Sequence, residues 1–353
     1  MRLFFCLVSL FLGLSYCLPT RNTKLDTEWE LFKSTYGRNY TKEEDPFRRK
    51  IWEQNLKLIK EHNHQYNVGN QSYYLEMNAF GDKTDEEFNL MMSRPMTPRT
   101  GKNGKTHCNS PLGDIPRSVD WRKRGFLTPV VQQGTCGSCW AFSAAGALEG
   151  QLFRTTGKNV QLSKQQLVDC TAGSSCVGGF VTAAYDYLIE QGGLTTEFCY
   201  PYQNQKNEWC YSTSRCPHLT MRGYKKLPPG DEKALMEAVA TVGPLSVAMH
   251  ATYSFRFYRG GLFTEPRCDP NYLNHAVVLV GYGEEESINK FIQSEENYCI
   301  LDKLNGQGQF GGRKYWIIKN SFGEAWGENG YMRIARTGNN HCGIASDSVY
   351  PLL

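Results

Sequence analysis

The sequence predicts an α+β protein in which a polar helical segment precedes a helical half and a β-rich half, with a cleft between the two halves. Three observations carry this expectation. Trp140, Ala144, Ala147, Leu148 and Leu152 recur at three- and four-residue spacing, and Gly157 follows as a stop signal. From about Gly223 onward the pattern shifts to short β-like runs at residues 245–249, 275–282 and 315–320. Upstream, Glu44, Arg48, Trp52, Asn55, Ile59 and Asn63 fall on one stripe of a helix, a pattern that any amphipathic helix would share.

Composition bounds the possibilities. With 353 residues, 40% hydrophobic and 21% charged, the chain can hold two core-bearing units and is too apolar for disorder. A net charge of +4 without any basic run argues against a nucleic-acid partner.

The elements follow in order. Residues 1–17 read as a secretion signal: Arg2 precedes an apolar run from Leu3 to Leu14, and Ser15 and Cys17 are placed for cleavage after Cys17. The run is too short to span a bilayer. The product is therefore expected to be soluble and to pass through an oxidising compartment. Sequons at Asn39-Tyr40-Thr41 and Asn70-Gln71-Ser72 suit an exposed secreted surface. Residues 94–101 read as irregular. Beyond them, Ser163 and Gln166 form a capping box for a helix at 163–170, and a further helix is expected at 180–191. Residues 284–313 form a charged, glycine-rich insertion that reads as a solvated loop. Of thirteen cysteines, Cys6 and Cys17 leave with the signal; the eleven that remain imply paired bridges plus at least one free thiol.

Cys139 is the candidate for that thiol. It stands where a loop gives way to a helix, and a helix N-terminus favours the thiolate, which is the nucleophilic form. Thiolate attack on a carbonyl also needs a base, a group to orient it and donors for the oxyanion. His275, at the start of a β-run, and Asn320, at the end of another, are candidates for the first two. Gln133, six residues before Cys139, is a candidate donor.

The run Cys136-Gly137-Ser138-Cys139-Trp140 matches a local signature of papain-like proteases. Together with Asn274-His275-Ala276 and Lys319-Asn320-Ser321-Phe322-Gly323, it makes the chain resemble the papain family, closest to the cathepsin L group. The resemblance implies a two-domain fold, with a helical left domain, a β-barrel-like right domain and the active-site cleft between. It also implies an inhibitory propeptide at 18–114 and a mature peptidase at 115–353 that starts near Ile115-Pro116-Arg117. The stripe from Glu44 to Asn63 resembles the propeptide motif, with Trp52 where phenylalanine is usual. Asn78, Phe80 and Asp82 resemble a second motif, with Glu76 replacing its usual glycine. Such a propeptide runs through the cleft backwards and is released as carboxylates protonate.

By the same resemblance Cys139, His275 and Asn320 are catalytic and Gln133 serves the oxyanion. Phe322 replaces the tryptophan that usually covers the His–Asn bond, and Ala325 replaces a common glycine. Cys136–Cys176, Cys170–Cys210 and Cys268–Cys342 match the family disulfides. Cys108, Cys199, Cys216 and Cys299 are left for two more bridges, with Cys199–Cys216 the first choice. Gly178 and Gly179 match the cleft edge that pairs with substrate backbone. Phe180, Val181, Ala248, Leu273, Ala276 and Asp347 match the pocket for the side chain two residues before the cut. The first five favour apolar side chains, and Asp347 adds an expectation that basic ones are accepted.

The implied activity is that of a cysteine endopeptidase made as a zymogen, without cofactor or metal. The expected partners are protein and peptide substrates, its own propeptide and cystatin-type inhibitors, and the enzyme is expected to be a monomer. Lysosomal, vacuolar or secreted locations all fit. Two alternatives are a catalytically silent binding protein on this fold and a cathepsin H-like aminopeptidase retaining a pro-fragment tethered through Cys108. Zinc binding is disfavoured, since Cys136 and Cys139 are the one close cysteine pair and His275 has no histidine nearby.

Overall fold

The computed structural model describes residues 23–93, 104–106, 115–211, 216–285 and 312–353. The signal segment, the irregular stretch at 94–101, Cys108, Cys299 and nearly all of the 284–313 insertion lie outside the described residues.

The N-terminal unit is built on α1 (Asp26–Thr35) and the long α2 (Asp45–Asn67), which starts with proline in its first turn. Trp29, Phe32 and Trp52 form its core, with ring centroids 5.5–6.0 Å apart. The polar members of the α2 stripe tie down the chain that follows. Asn63 bonds both the N–H and the carbonyl of Leu75 at 2.8 Å, and the Asn55 amide donates to the Gly81 carbonyl at 2.8 Å. These asparagines satisfy backbone groups that would otherwise be buried without partners. The stripe is therefore a polar clasp as well as an apolar face. Beyond strand β1 (Tyr73–Leu75), helix α3 (Asp85–Met91) carries a complete capping box between Thr84 and Glu87.

Strand β2 (Gly104–Thr106) and the short β3 (Val119–Asp120) lead into the central helix α4 (Cys139–Thr156), which is buried from Cys139 to Gln151. Gly157 ends it in the left-handed region at φ 69°. A Cβ on Gly146 would lie 2.7 Å from Val278, so glycine there lets the helix lie directly against the sheet. Helices α5 (Lys164–Cys170) and α6 (Val181–Gln191) and the pair β4 (Leu194–Thr195) and β5 (His218–Leu219) complete the helical half. The Ser163–Gln166 box forms by half. Ser163 accepts from the Gln166 N–H, but the Gln166 side chain turns to the Gly193 carbonyl and the Thr195 N–H instead.

The β-rich half contains β6 (Gly223–Lys226), α7 (Glu232–Thr241), β7 (Leu245–Met249), α8 (Tyr253–Arg256), β8 (Tyr258–Phe263), β9 (His275–Glu284), β10 (Lys314–Lys319), β11 (Tyr331–Ala335) and β12 (Ser348–Leu352). Its strands run in the order β1-β8-β11-β10-β9-β7-β12-β6-β2, with β3 on β9. The barrel-like domain expected from the sequence is thus an open sheet among the described residues. A barrel closes only when its first and last strands pair. Here β1 and β2, both from before residue 115, occupy the two ends and cover the edges that β8 and β6 would otherwise expose.

Candidate active site

The loop before α4 is held from several directions. Cys136 is bonded to Cys176, the Gly137 N–H donates to the Cys176 carbonyl at 2.7 Å, and Asn204 Oδ1 accepts from the N–H groups of Thr135 and Cys136. Tyr202 ties the two ends together. Its hydroxyl donates to the Gln133 carbonyl at 2.7 Å and lies 2.6 Å from the Ser138 hydroxyl. Cys139 therefore starts α4 from a fixed position, with its thiol buried at the helix N-terminus.

His275 opens β9 and is fully buried; its Nε2 lies 2.8 Å from Asn320 Oδ1, just past the end of β10. An amide oxygen only accepts, so Nε2 carries the hydrogen and Nδ1 is the nitrogen left for the thiol. The Phe322 ring lies 5.1 Å from the imidazole at 34° and keeps an aromatic cover over the His–Asn bond. Burial pushes the Cys139 thiol up, but the charge and hydrogen bond of His275, with help from Ser93 and the Ala276 backbone, outweigh it. The net effect lowers the pKa from 9.0 to about 7.

Gln133 is wholly buried, with Oε1 fixed by the Ser321 hydroxyl at 2.5 Å. Its Nε2 donates to the Cys136 carbonyl at 3.0 Å and to the Met91 carbonyl at 3.1 Å. Met91 ends α3, and two residues on, the Ser93 hydroxyl lies 3.1 Å from the Cys139 sulfur. The N-terminal unit thus places a backbone carbonyl on the glutamine amide and a hydroxyl on the thiol. Both contacts of the glutamine amide nitrogen are to backbone carbonyls.

Four disulfides are closed: Cys136–Cys176, Cys170–Cys210, Cys199–Cys216 and Cys268–Cys342. Cys139 is the free thiol among the described residues. The one trio of candidate metal ligands among them is Cys268, His341 and Cys342, and its two sulfurs are spent on a disulfide. No helix among the described residues is long and apolar enough to cross a membrane.

A profile described as papain family cysteine protease matches residues 115–352. The chain belongs to the papain family of cysteine proteases. Residues 29–88 match a second profile, the cathepsin propeptide inhibitor domain (I29). Cathepsin L2 of Homo sapiens is 44% identical over 99% of both chains, and procathepsin L of Mus musculus is 42% identical over the full length of both. Among solved structures, the digestive procathepsin L2 proteinase from the larval midgut of Tenebrio molitor superposes with a TM-score of 0.81. It is 37% identical, and the match covers 93% of this chain and 99% of that one. The molecule is a cathepsin L-like cysteine protease in zymogen form, and the unit that fills its cleft is the propeptide.

Around this papain-family centre the remaining predicted residues fall as follows. Ala248 and Ala276 stand opposite each other across β7 and β9, and both share one apolar cluster with Leu273, Phe180 and Val181. Gly178 has φ 123°, which favours glycine. A Cβ on Gly179 would come within 2.5 Å of the Trp140 indole, so that glycine is required by the protein's own core. The Asp347 carboxylate is engaged by Lys226 at 2.8 Å instead of standing free to meet a basic side chain.

The sequence reading missed Tyr202, Asn204 and the buried cluster under Asn320. In that cluster Lys164 pairs with Glu149 at 3.0 Å, and Lys319 donates to the Thr128 carbonyl at 2.6 Å. Burial is the main cause that lowers the Lys319 pKa to about 8. Polar residues inside the apolar periodicity of α4 were the available signal for Glu149; nothing marked the other two. If Gln133 is the oxyanion donor expected from the sequence, Gln133→Ala in the mature protease should lower kcat about 10²–10³-fold. Steady-state kinetics on a dipeptide reporter would check this, with Cys139 titrated to correct for unfolded enzyme.

Proposed function

We propose that the protease is an endopeptidase in which Cys139 is the nucleophile, His275 its acid–base partner and Asn320 the group that orients the ring. The Cys139 thiolate attacks the scissile carbonyl carbon, and the negative charge moves to an oxygen held by the Gln133 amide and backbone N–H groups. The His275 imidazolium gives its proton to the departing amine, which leaves a thioester on Cys139. Water, deprotonated by His275, then attacks the thioester; the acid product departs and the thiol is restored. The observation that carries this reading is the contact of the Met91 carbonyl with the Gln133 amide beside the Ser93–Cys139 contact. An inhibitory segment that sets its own carbonyl against this amide imitates a substrate at a working site.

The signal is proposed to end at residue 17, the propeptide to span 18–114 and the mature chain to span 115–353. The apolar cluster around Phe180, Val181, Ala248, Leu273 and Ala276 favours apolar side chains two residues before the cut, and the Gly178–Gly179 edge receives substrate backbone. Asn39 and Asn70 are both exposed and are proposed to carry N-glycans. The product works as a monomer in the lysosome, the vacuole or outside the cell, and cystatin-type inhibitors fit its cleft.

The test is mass spectrometry of the purified proenzyme after mild acid incubation with an epoxysuccinyl thiol-protease label. A single adduct on Cys139 of a chain beginning near Ile115 is the expected result. Clean processing without an adduct would overturn the assignment of Cys139.

A further inference from the structure

Lys226 and Asp347 are joined across two strands at the edge of the substrate pocket. Strand β12 lies between β7 and β6, with Val349 opposite Ser246 on one side and Lys226 on the other. Two residues before Val349, the Asp347 carbonyl accepts from the Ala248 N–H at 3.0 Å. Ala248 in turn stands opposite Ala276 on β9. Residues paired across a sheet share a face, as do residues two apart on a strand. Ala276, Ala248, Asp347, Val349 and Lys226 therefore form a row across four strands. Ala276, Ala248 and Val349 belong to the same apolar cluster as Leu273, Phe180 and Val181. The ion pair lies at the β6 end of that row, beside β2, with both side chains less than a fifth exposed.

We propose that Lys226 is a specificity-determining residue. With Asp347 it forms a neutral pair at the floor of the pocket for the side chain two residues before the cut, and each charge masks the other. This rests on the assignment of that pocket made above. A lone carboxylate there would draw arginine in. With an ammonium 2.8 Å away, an entering guanidinium must displace Lys226 from the carboxylate or sit beside a like charge. An entering carboxylate meets the converse difficulty at Asp347. The wild-type pocket therefore takes apolar side chains and rejects both charges. Lys226 and Asp347 both belong to the mature domain, and β2 of the N-terminal segment lies beside β6 with Thr106 opposite Lys226, so the comparison is made on the activated enzymes.

The experiment compares activated wild type, Lys226→Met, Asp347→Ala and the double variant on three dipeptide reporters. These carry Phe, Arg or Glu two residues before the cut, with arginine at the cut in each. Active sites are counted by epoxysuccinyl labelling of Cys139, and kcat/KM ratios are read within each enzyme. Wild type is expected to prefer Phe strongly over both charged side chains. Lys226→Met should raise the Arg/Phe ratio by about tenfold or more, and Asp347→Ala should raise the Glu/Phe ratio similarly, as unmasking a partly buried charge does. The double variant should do neither. Lys226→Gln and Asp347→Asn keep the side-chain size and serve if the first pair folds poorly. Wild type that cleaves the Arg reporter as readily as the Phe one, or single variants with unchanged ratios, would overturn the proposal. Failure of the wild type to label or cleave any reporter is a separate result, and it counts against the protease mechanism itself.

Discussion

Replacing His275 by alanine is expected to abolish turnover to within a residual level, a fall of about 10⁴-fold or more, because in the proposed mechanism it removes base, acid and thiolate partner together. The pH behaviour gives a more specific expectation. Cys139 is fully buried, and burial alone raises a thiol pKa; His275 is the chief influence that brings it down to about 7. In wild type, therefore, the thiolate is present above about pH 7 and is lost as pH falls through that value. Without His275 the largest lowering influence is gone while burial still opposes the charge, so the thiolate should form at higher pH than in wild type. The check is the pH profile of Cys139 alkylation in the variant after its propeptide has been removed by wild-type enzyme. A midpoint that stays near 7 would assign the activation to the α4 N-terminus instead of the imidazole. Asn320→Ala should shift the profile less, since its carbonyl orients the ring and carries no charge.

What could be read from the sequence divides along a physical line. Features set by local spacing were legible. The α4 helix follows from apolar spacing and ends at Gly157, and β7, β9 and β10 begin and end within a few residues of their β-rich runs. Features set by pairing between distant segments were not. Strand β1 is three residues long, and nothing in Tyr73-Tyr74-Leu75 announces that it pairs with β8, which starts at Tyr258. The Lys226–Asp347 pair exists only because β6 and β12 are in register. Asn204 is one asparagine in a polar loop until its left-handed backbone at φ 57° aims its side chain at the 135–136 amides. The capping box failed by half for the same reason, since Gln166 found partners on a strand that local sequence could not place beside it. At the site itself, the motifs named Cys139, His275, Asn320 and Gln133 through a family resemblance. The Met91 and Ser93 contacts that occupy the cleft carry no motif, because one of them is a backbone carbonyl.

The propeptide is held by a group from the mature domain that the sequence also left unmarked. Arg256 has no exposed surface, and its guanidinium donates to the carbonyls of Lys83 and Thr84 and to the Asp85 carboxylate at 3.0 Å. It is enclosed by the rings of Phe88, Tyr253 and Phe257 at 4.5–5.3 Å. Burial lowers its pKa, yet an arginine stays charged throughout the acid range. Any weakening of the contact by acid must therefore act on the acceptors. Neighbouring Glu87 is held below its usual range by its hydrogen bond to Arg48, so that pair persists above the lowered value and is lost as pH falls through it. Arg256→Met keeps the stem's packing but leaves the carbonyls of Lys83 and Thr84 without that donor. Docking of the propeptide should weaken by about 2 kcal/mol, roughly thirtyfold. The proenzyme variant is expected to convert faster than wild type and at higher pH, and Arg256→Lys to lie between them. The measurement is the rate at which reporter activity appears in each full-length proenzyme between pH 4 and 7, normalised to the Cys139 label at completion. If Arg256→Met converts no faster than wild type, the seal resides in the Met91 and Ser93 contacts at the cleft, and the buried guanidinium contributes packing alone.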